Sequence, residues 1–102
     1  MKQVDVPSGV VHVLVCCNAR GPGGMPSCAD RGTEVYSALR GWVTRHGLLS
    51  RVWVTRTSCL GWCHAEGATL VLYPAGEILQ GVTPGDIEQV IDRIEGLRRT
   101  AA

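Results

Sequence analysis

The spacing of hydrophobic positions changes several times along the chain, and each change marks an element. Val10-Val11-His12-Val13-Leu14-Val15-Cys16-Cys17 is apolar on nearly every position, which predicts a central, buried strand. His12 within it reads as a strand residue tolerated near the start, not as a ligand. Between residues 33 and 46, Val35, Ala38, Leu39, Trp42 and Val43 recur at helical spacing while Arg40 and Arg45 fall on the other side. That pattern predicts an amphipathic helix, with Gly47 as its C-terminal stop. Gly41 inside it costs about 1 kcal/mol against alanine. Residues 51–57 and 69–73 are rich in β-branched and aromatic side chains and predict a second and third strand. Pro74-Ala75-Gly76 is a turn, and residues 77–80 predict a fourth strand folded back on the third. Thr83-Pro84-Gly85-Asp86 then combines an N-cap, a proline at the first helical position and an acid three residues on. Ile87, Val90, Ile91 and Ile94, with Leu97 beyond, mark the buried face of a last helix that ends near Gly96, leaving residues 98–102 to fray. Trp42 and Trp53 read as core.

The predicted order is strand, helix, strand, strand, strand, helix. Two strands joined by a helix should lie parallel through a right-handed crossover, and the last two should form an antiparallel hairpin. The expected class is α/β (α+β), a mixed four-stranded sheet with two main helices, close to a reduced thioredoxin-like layout. With 102 residues and no internal repeat or linker, residues 1–102 are expected to form a single domain. A domain of this size buries roughly two thirds of its unfolded surface, so the core is thin.

Composition narrows the class. The chain is 45% hydrophobic, with three Trp and no Phe, which is globular in character. Its net charge of +1 does not point to nucleic acid or a membrane surface. Residues 1–56 nonetheless carry +4 and residues 57–102 carry −3. Solvated helix faces account for this asymmetry; the sharper alternative is a basic rim of Arg20, Arg31 and Arg56 that docks an acidic partner. The first seven residues place an acid and a proline where a secretory signal has its apolar core, and residues 10–17 are far too short to span a bilayer. The expected location is a reducing cytoplasm, where five cysteines read as ligands or redox thiols before disulfides.

The cysteines sit around two loops. Cys59-Leu60-Gly61-Trp62-Cys63 lies between two predicted strands, and Trp62 is placed to shield a site from water. Cys16, Cys17 and Cys28 flank a segment rich in glycine and proline, residues 18–28, which lacks the Gly-Lys-Ser/Thr ending of a phosphate loop. Two thiol-bearing loops at strand ends suggest a metal site closed from two sides. Eleven residues between Cys16 and Cys28 are too many for a zinc knuckle, whereas a [2Fe-2S] cluster is wide enough to take a pair of thiolates from each loop. Gly21, Gly23, Gly24 and Gly61 could bring backbone N–H groups close to such an anionic group, although loop glycines need no such role. Zinc, a thioredoxin-type dithiol, a haem attachment site and a Rieske-type role for His64 fit the spacing less well.

At these residues the chain resembles the thioredoxin-like [2Fe-2S] ferredoxins. The matching pieces are His12-Val13-Leu14-Val15-Cys16, Arg20, Ser27-Cys28-Ala29 with Arg31-Gly32, Thr57-Ser58-Cys59-Leu60-Gly61 with Cys63, Leu72-Tyr73-Pro74, and Gly81-Val82-Thr83-Pro84 with Asp86-Ile87. They cover nearly the whole chain in order. The resemblance implies that Cys16, Cys28, Cys59 and Cys63 hold the cluster, the first two on one iron and the last two on the other. It implies a one-electron carrier without catalysis of its own, which serves redox protein partners such as a reductase or oxidase and is often a homodimer. Cys17 adjoins the first ligand, and strand alternation would turn it to the opposite face from Cys16. Electrons would pass where the cluster nears the surface, by Trp62 and Met25. The alternatives are an iron–sulfur sensor or assembly accessory protein, and a zinc-stabilised binding module.

Overall fold

The computed structural model describes residues 1–17, 29–58 and 67–101. Its elements are β1 (Val11–Cys16), α1 (Ala29–Arg45), β2 (Val52–Thr57), β3 (Ala68–Tyr73), β4 (Glu77–Val82) and α2 (Ile87–Ala101), the last preceded by a 3₁₀ turn at Pro84–Asp86. The strands form one sheet in the order β2-β1-β3-β4. β1 runs parallel to β2 and antiparallel to β3, and β3 and β4 form the antiparallel hairpin. The predicted order of elements along the chain, the parallel β1–β2 pair and the antiparallel β3–β4 hairpin are those observed, with β1 in the interior of the sheet.

Both helices cover one face. Val11, Val13 and Val15 of β1, Val52 and Val54 of β2, and Ala68, Leu70 and Leu72 of β3 share one buried cluster with Val35, Leu39, Trp42 and Val43 of α1 and Val90 and Ile94 of α2. Among the described residues the other face has no helix, and it carries the alternate residues: His12 beside Trp53, Leu14 between Thr55 and Val71, and Ile78 beside Val71. Trp53 is therefore only half-buried, not core as expected. It packs edge-on to His12, with ring centroids 5.6 Å apart. Strand alternation gives Val52 and Val54 the core and leaves Trp53 the far side. His12 keeps its expected role in the strand, with Nε2 2.8 Å from Thr55 Oγ1.

Three boundaries differ from the sequence reading. α1 begins at Ala29, before the first periodic residue, because Gly32 lets the opening turn lie directly on the end of β1: a Cβ there would collide with the Cys16 carbonyl. β4 extends to Val82 through a register shift opposite Ala68 and Leu70, with Gly81 at φ 71°, a conformation that glycine adopts without steric cost. α2 continues past Gly96 to Ala101, because that glycine keeps a helical backbone, whereas Gly47 at φ 64° does terminate α1. The start of α2 follows expectation: the Asp86 carboxylate accepts the Thr83 backbone N–H and hydroxyl, each at 3.0 Å.

Candidate metal centre

The described part of the centre lies where β1 and β2 end side by side. Cys16 closes β1 with its side chain fully buried, and its partner in the parallel register is Thr57, the last residue of β2. The ladder continues one step further, with the Cys17 N–H donating to the Thr57 carbonyl at 2.9 Å. The Cys16 thiol donates to the Ser58 carbonyl at 3.3 Å. Ser58 immediately precedes Cys59, so the Cys16 sulfur sits against the first backbone of the second cysteine-bearing segment.

Cys17 takes the opposite side. It is half-buried and packs against the hydrophobic core, while Cys16 shares its face with Leu14 and His12. Adjacent strand residues point to opposite faces, so the two neighbouring sulfurs are separated by the sheet itself. Thr69, fully buried and polar, lies on the Cys16 face of β3. Gly67 leads into that strand at so close an approach that a Cβ on it would overlap the Gly81–Val82 peptide.

Of the sequence-assigned ligands, the structure places Cys16; Cys28, Cys59 and Cys63 lie outside the described residues. So do Trp62, Met25, Arg20, His64 and the glycines 21, 23, 24 and 61. Among the described residues no group of three or more metal-binding side chains gathers, as expected when three of the four assigned ligands are elsewhere. Of the basic rim, Arg31 falls within α1, and Arg56 lies over the Tyr36 ring with its guanidinium carbon 5.0 Å from the centroid. A feature not singled out from sequence is the Thr57 hydroxyl, buried with no hydrogen-bond partner among the described residues.

No protein-family model matches the chain. It is 32% identical to the wild type thioredoxin-like [2Fe-2S] ferredoxin of Aquifex aeolicus, whose crystal structure superposes with a TM-score of 0.75 over 85% of this chain and 87% of that one. The chain belongs to the thioredoxin-like [2Fe-2S] ferredoxin family. A second structure of a thioredoxin-like [2Fe-2S] ferredoxin from Aquifex aeolicus agrees, at 30% identity, TM-score 0.73 and coverage of 82% and 78%. A curated "Ferredoxin, 2Fe-2S" of Clostridium pasteurianum is 29% identical over 83 residues, 79% of this chain and 80% of that protein. The sheet order and two helices described above are thus a ferredoxin's thioredoxin-like fold.

The residues present suit an iron–sulfur group. A buried thiol stands at the end of an interior strand, against the chain that leads to two more cysteines. An unpaired hydroxyl on the neighbouring strand can supply a hydrogen bond to sulfur. Thiolate ligation and hydrogen bonds to sulfur are what such clusters require of a protein.

Proposed function

We propose that this chain is a one-electron carrier, a ferredoxin and not an enzyme, that binds a [2Fe-2S] cluster and passes electrons between redox proteins. Membership of the family at 32% identity across most of both chains carries the reading. When bound, the cluster supplies a centre that gains and loses single electrons. The chain's own part is to ligate it, keep bulk water away and set its potential through burial and hydrogen bonds.

The ligands in this reading are Cys16, Cys28, Cys59 and Cys63, the first two on one iron and the last two on the other. The contact between the Cys16 sulfur and the Ser58 carbonyl supports Cys16, because it puts that sulfur next to the Cys59 segment. The packing of Cys17 against the core argues for a non-ligand role there. Residues 1–102 act as one domain in this reading, supported by the single buried cluster that joins both helices to the sheet. We place the protein in a reducing cytoplasm, in keeping with five cysteines. No helix of the described residues is long and apolar enough to cross a membrane. We further propose a homodimer, for which the partly exposed apolar residues on the sheet face opposite the helices, Tyr73 and Ile78 among them, provide a surface.

Anaerobically purified protein should be brown, carry two irons and two acid-labile sulfides per chain and bleach partly with dithionite. Cys17→Ser should keep this spectrum, and Cys16→Ser or Cys59→Ser should lose most of it. A colourless protein with zinc in place of iron would refute the carrier. Loss of the cluster in Cys17→Ser with retention in Cys16→Ser would refute the ligand set.

A further inference from the structure

The Thr57 hydroxyl is buried and unpaired among the described residues. Leaving a buried hydroxyl without a partner destabilises the fold. Its position gives that cost a use. Thr57 and Cys16 are register partners on adjacent parallel strands, so their side chains project from the same face, and the strands are separated by about 4.8 Å. The Thr57 backbone is held there, since its carbonyl accepts the Cys17 N–H at 2.9 Å.

Deprotonation changes what the neighbouring sulfur needs. As a thiol, Cys16 donates to the Ser58 carbonyl at 3.3 Å. A thiolate ligand has no proton to donate and accepts hydrogen bonds instead, and the Ser58 carbonyl offers it none. The Thr57 hydroxyl is a donor on the same face, one strand away. We propose that Thr57 donates a hydrogen bond to the Cys16 thiolate in the cluster-loaded protein and thereby raises the reduction potential. The sign follows from charge: reduction makes the site more negative, so a donated hydrogen bond stabilises the reduced state more than the oxidised one. This inference rests on the reading of Cys16 as a ligand.

Thr57→Val keeps the branched shape and removes the donor; Thr57→Ser keeps the donor. Potentiometric titration of the loaded proteins, normalised to iron and sulfide content, tests the pair. The expected result is a more negative midpoint for Thr57→Val, by about tenfold in the reduction equilibrium or about 59 mV for one electron, with Thr57→Ser near wild type. Metal-free Thr57→Val should unfold at no lower denaturant concentration than the metal-free wild type, because it loses an unpaired hydroxyl; a purely structural hydroxyl gives the opposite. An unchanged midpoint in loaded Thr57→Val overturns the proposal. If Thr57→Val fails to load while Thr57→Ser loads, the hydroxyl is required at the cluster and the proposal stands. Equal failure of both variants assigns the residue to packing and overturns it. Wild-type protein that binds no cluster, or that keeps it in Cys16→Ser, would instead refute the parent reading.

Discussion

At the scale of single residues, the position of Cys16, the proposed ligand, depends on how closely α1 can approach the end of β1. Gly32 is buried in the first turns of α1, and a Cβ on it would stand 3.0 Å from the Cys16 carbonyl carbon and 3.2 Å from the Cys17 Cα, and closer still to the carbonyl oxygen. Helix propensity alone would favour alanine here by about 1 kcal/mol. The obstruction is backbone, which cannot rotate aside, and overpacking of this kind costs about 1–3 kcal/mol. The clash therefore outweighs the propensity. Gly32→Ala should lower the denaturation midpoint of the metal-free protein and reduce cluster content, because relief of the clash must move either the helix or the strand end that carries Cys16. Equal stability and full loading in that variant would show that the close approach is dispensable. Gly32 has no signal in helical periodicity; it was legible only as part of the family's Arg31-Gly32 pair.

At the scale of elements, α2 shows how a glycine's meaning depends on its backbone angle. From composition, Gly96 ends the helix; in the structure the helix runs on to Ala101, and Glu95 pairs with Arg98 at 2.8 Å across the glycine. A Cβ on Gly96 would meet nothing within 4 Å. Gly96→Ala should accordingly stabilise the protein by about 0.5–1 kcal/mol through helix propensity and a less flexible unfolded chain. Urea titration of wild type and variant checks this, and a destabilised variant would contradict the continuous helix. Elsewhere the elements were legible. Helical spacing of Val35, Leu39, Trp42 and Val43 and the run of valines in β1 are local patterns that burial on one face enforces. The Thr83–Asp86 cap was readable because capping chemistry spans only four residues.

At the scale of the whole molecule, the sheet face opposite the helices carries apolar side chains that stay partly exposed among the described residues. Leu14 and Trp53 are half-buried there, Val71 is buried, and Tyr73 and Ile78 each keep 47% of their surface exposed. Apolar residues gathered on one face suit contact with a second copy, since a symmetric dimer needs only a self-complementary patch. Ile78→Asp should shift the protein from dimer to monomer in sedimentation velocity while its cluster content stays unchanged, because Ile78 faces away from both helices. A wild type that sediments as a monomer at micromolar concentration would dismiss the homodimer. The salt bridge between Arg93 and Glu77 on the molecule's exterior, at 3.5 Å with both partners well exposed, contributes little to any of this.

The sequence by itself determined the order of elements, the parallel crossover pair, the antiparallel hairpin and the spacing of the cysteines. Each of these follows from neighbours along the chain: period 2 or period 3.6, turn residues, caps, and the rule that a helical crossover joins parallel strands. Only the tertiary structure decided which face each strand turned to the helices. Trp53 went to the far side, and Cys17 rather than Cys16 turned toward the core. It alone paired Thr57 with Cys16, residues 41 positions apart, and required Gly32 inside a helix. Register and close approach depend on contacts between distant segments, and local periodicity carries no record of which distant residue will lie opposite.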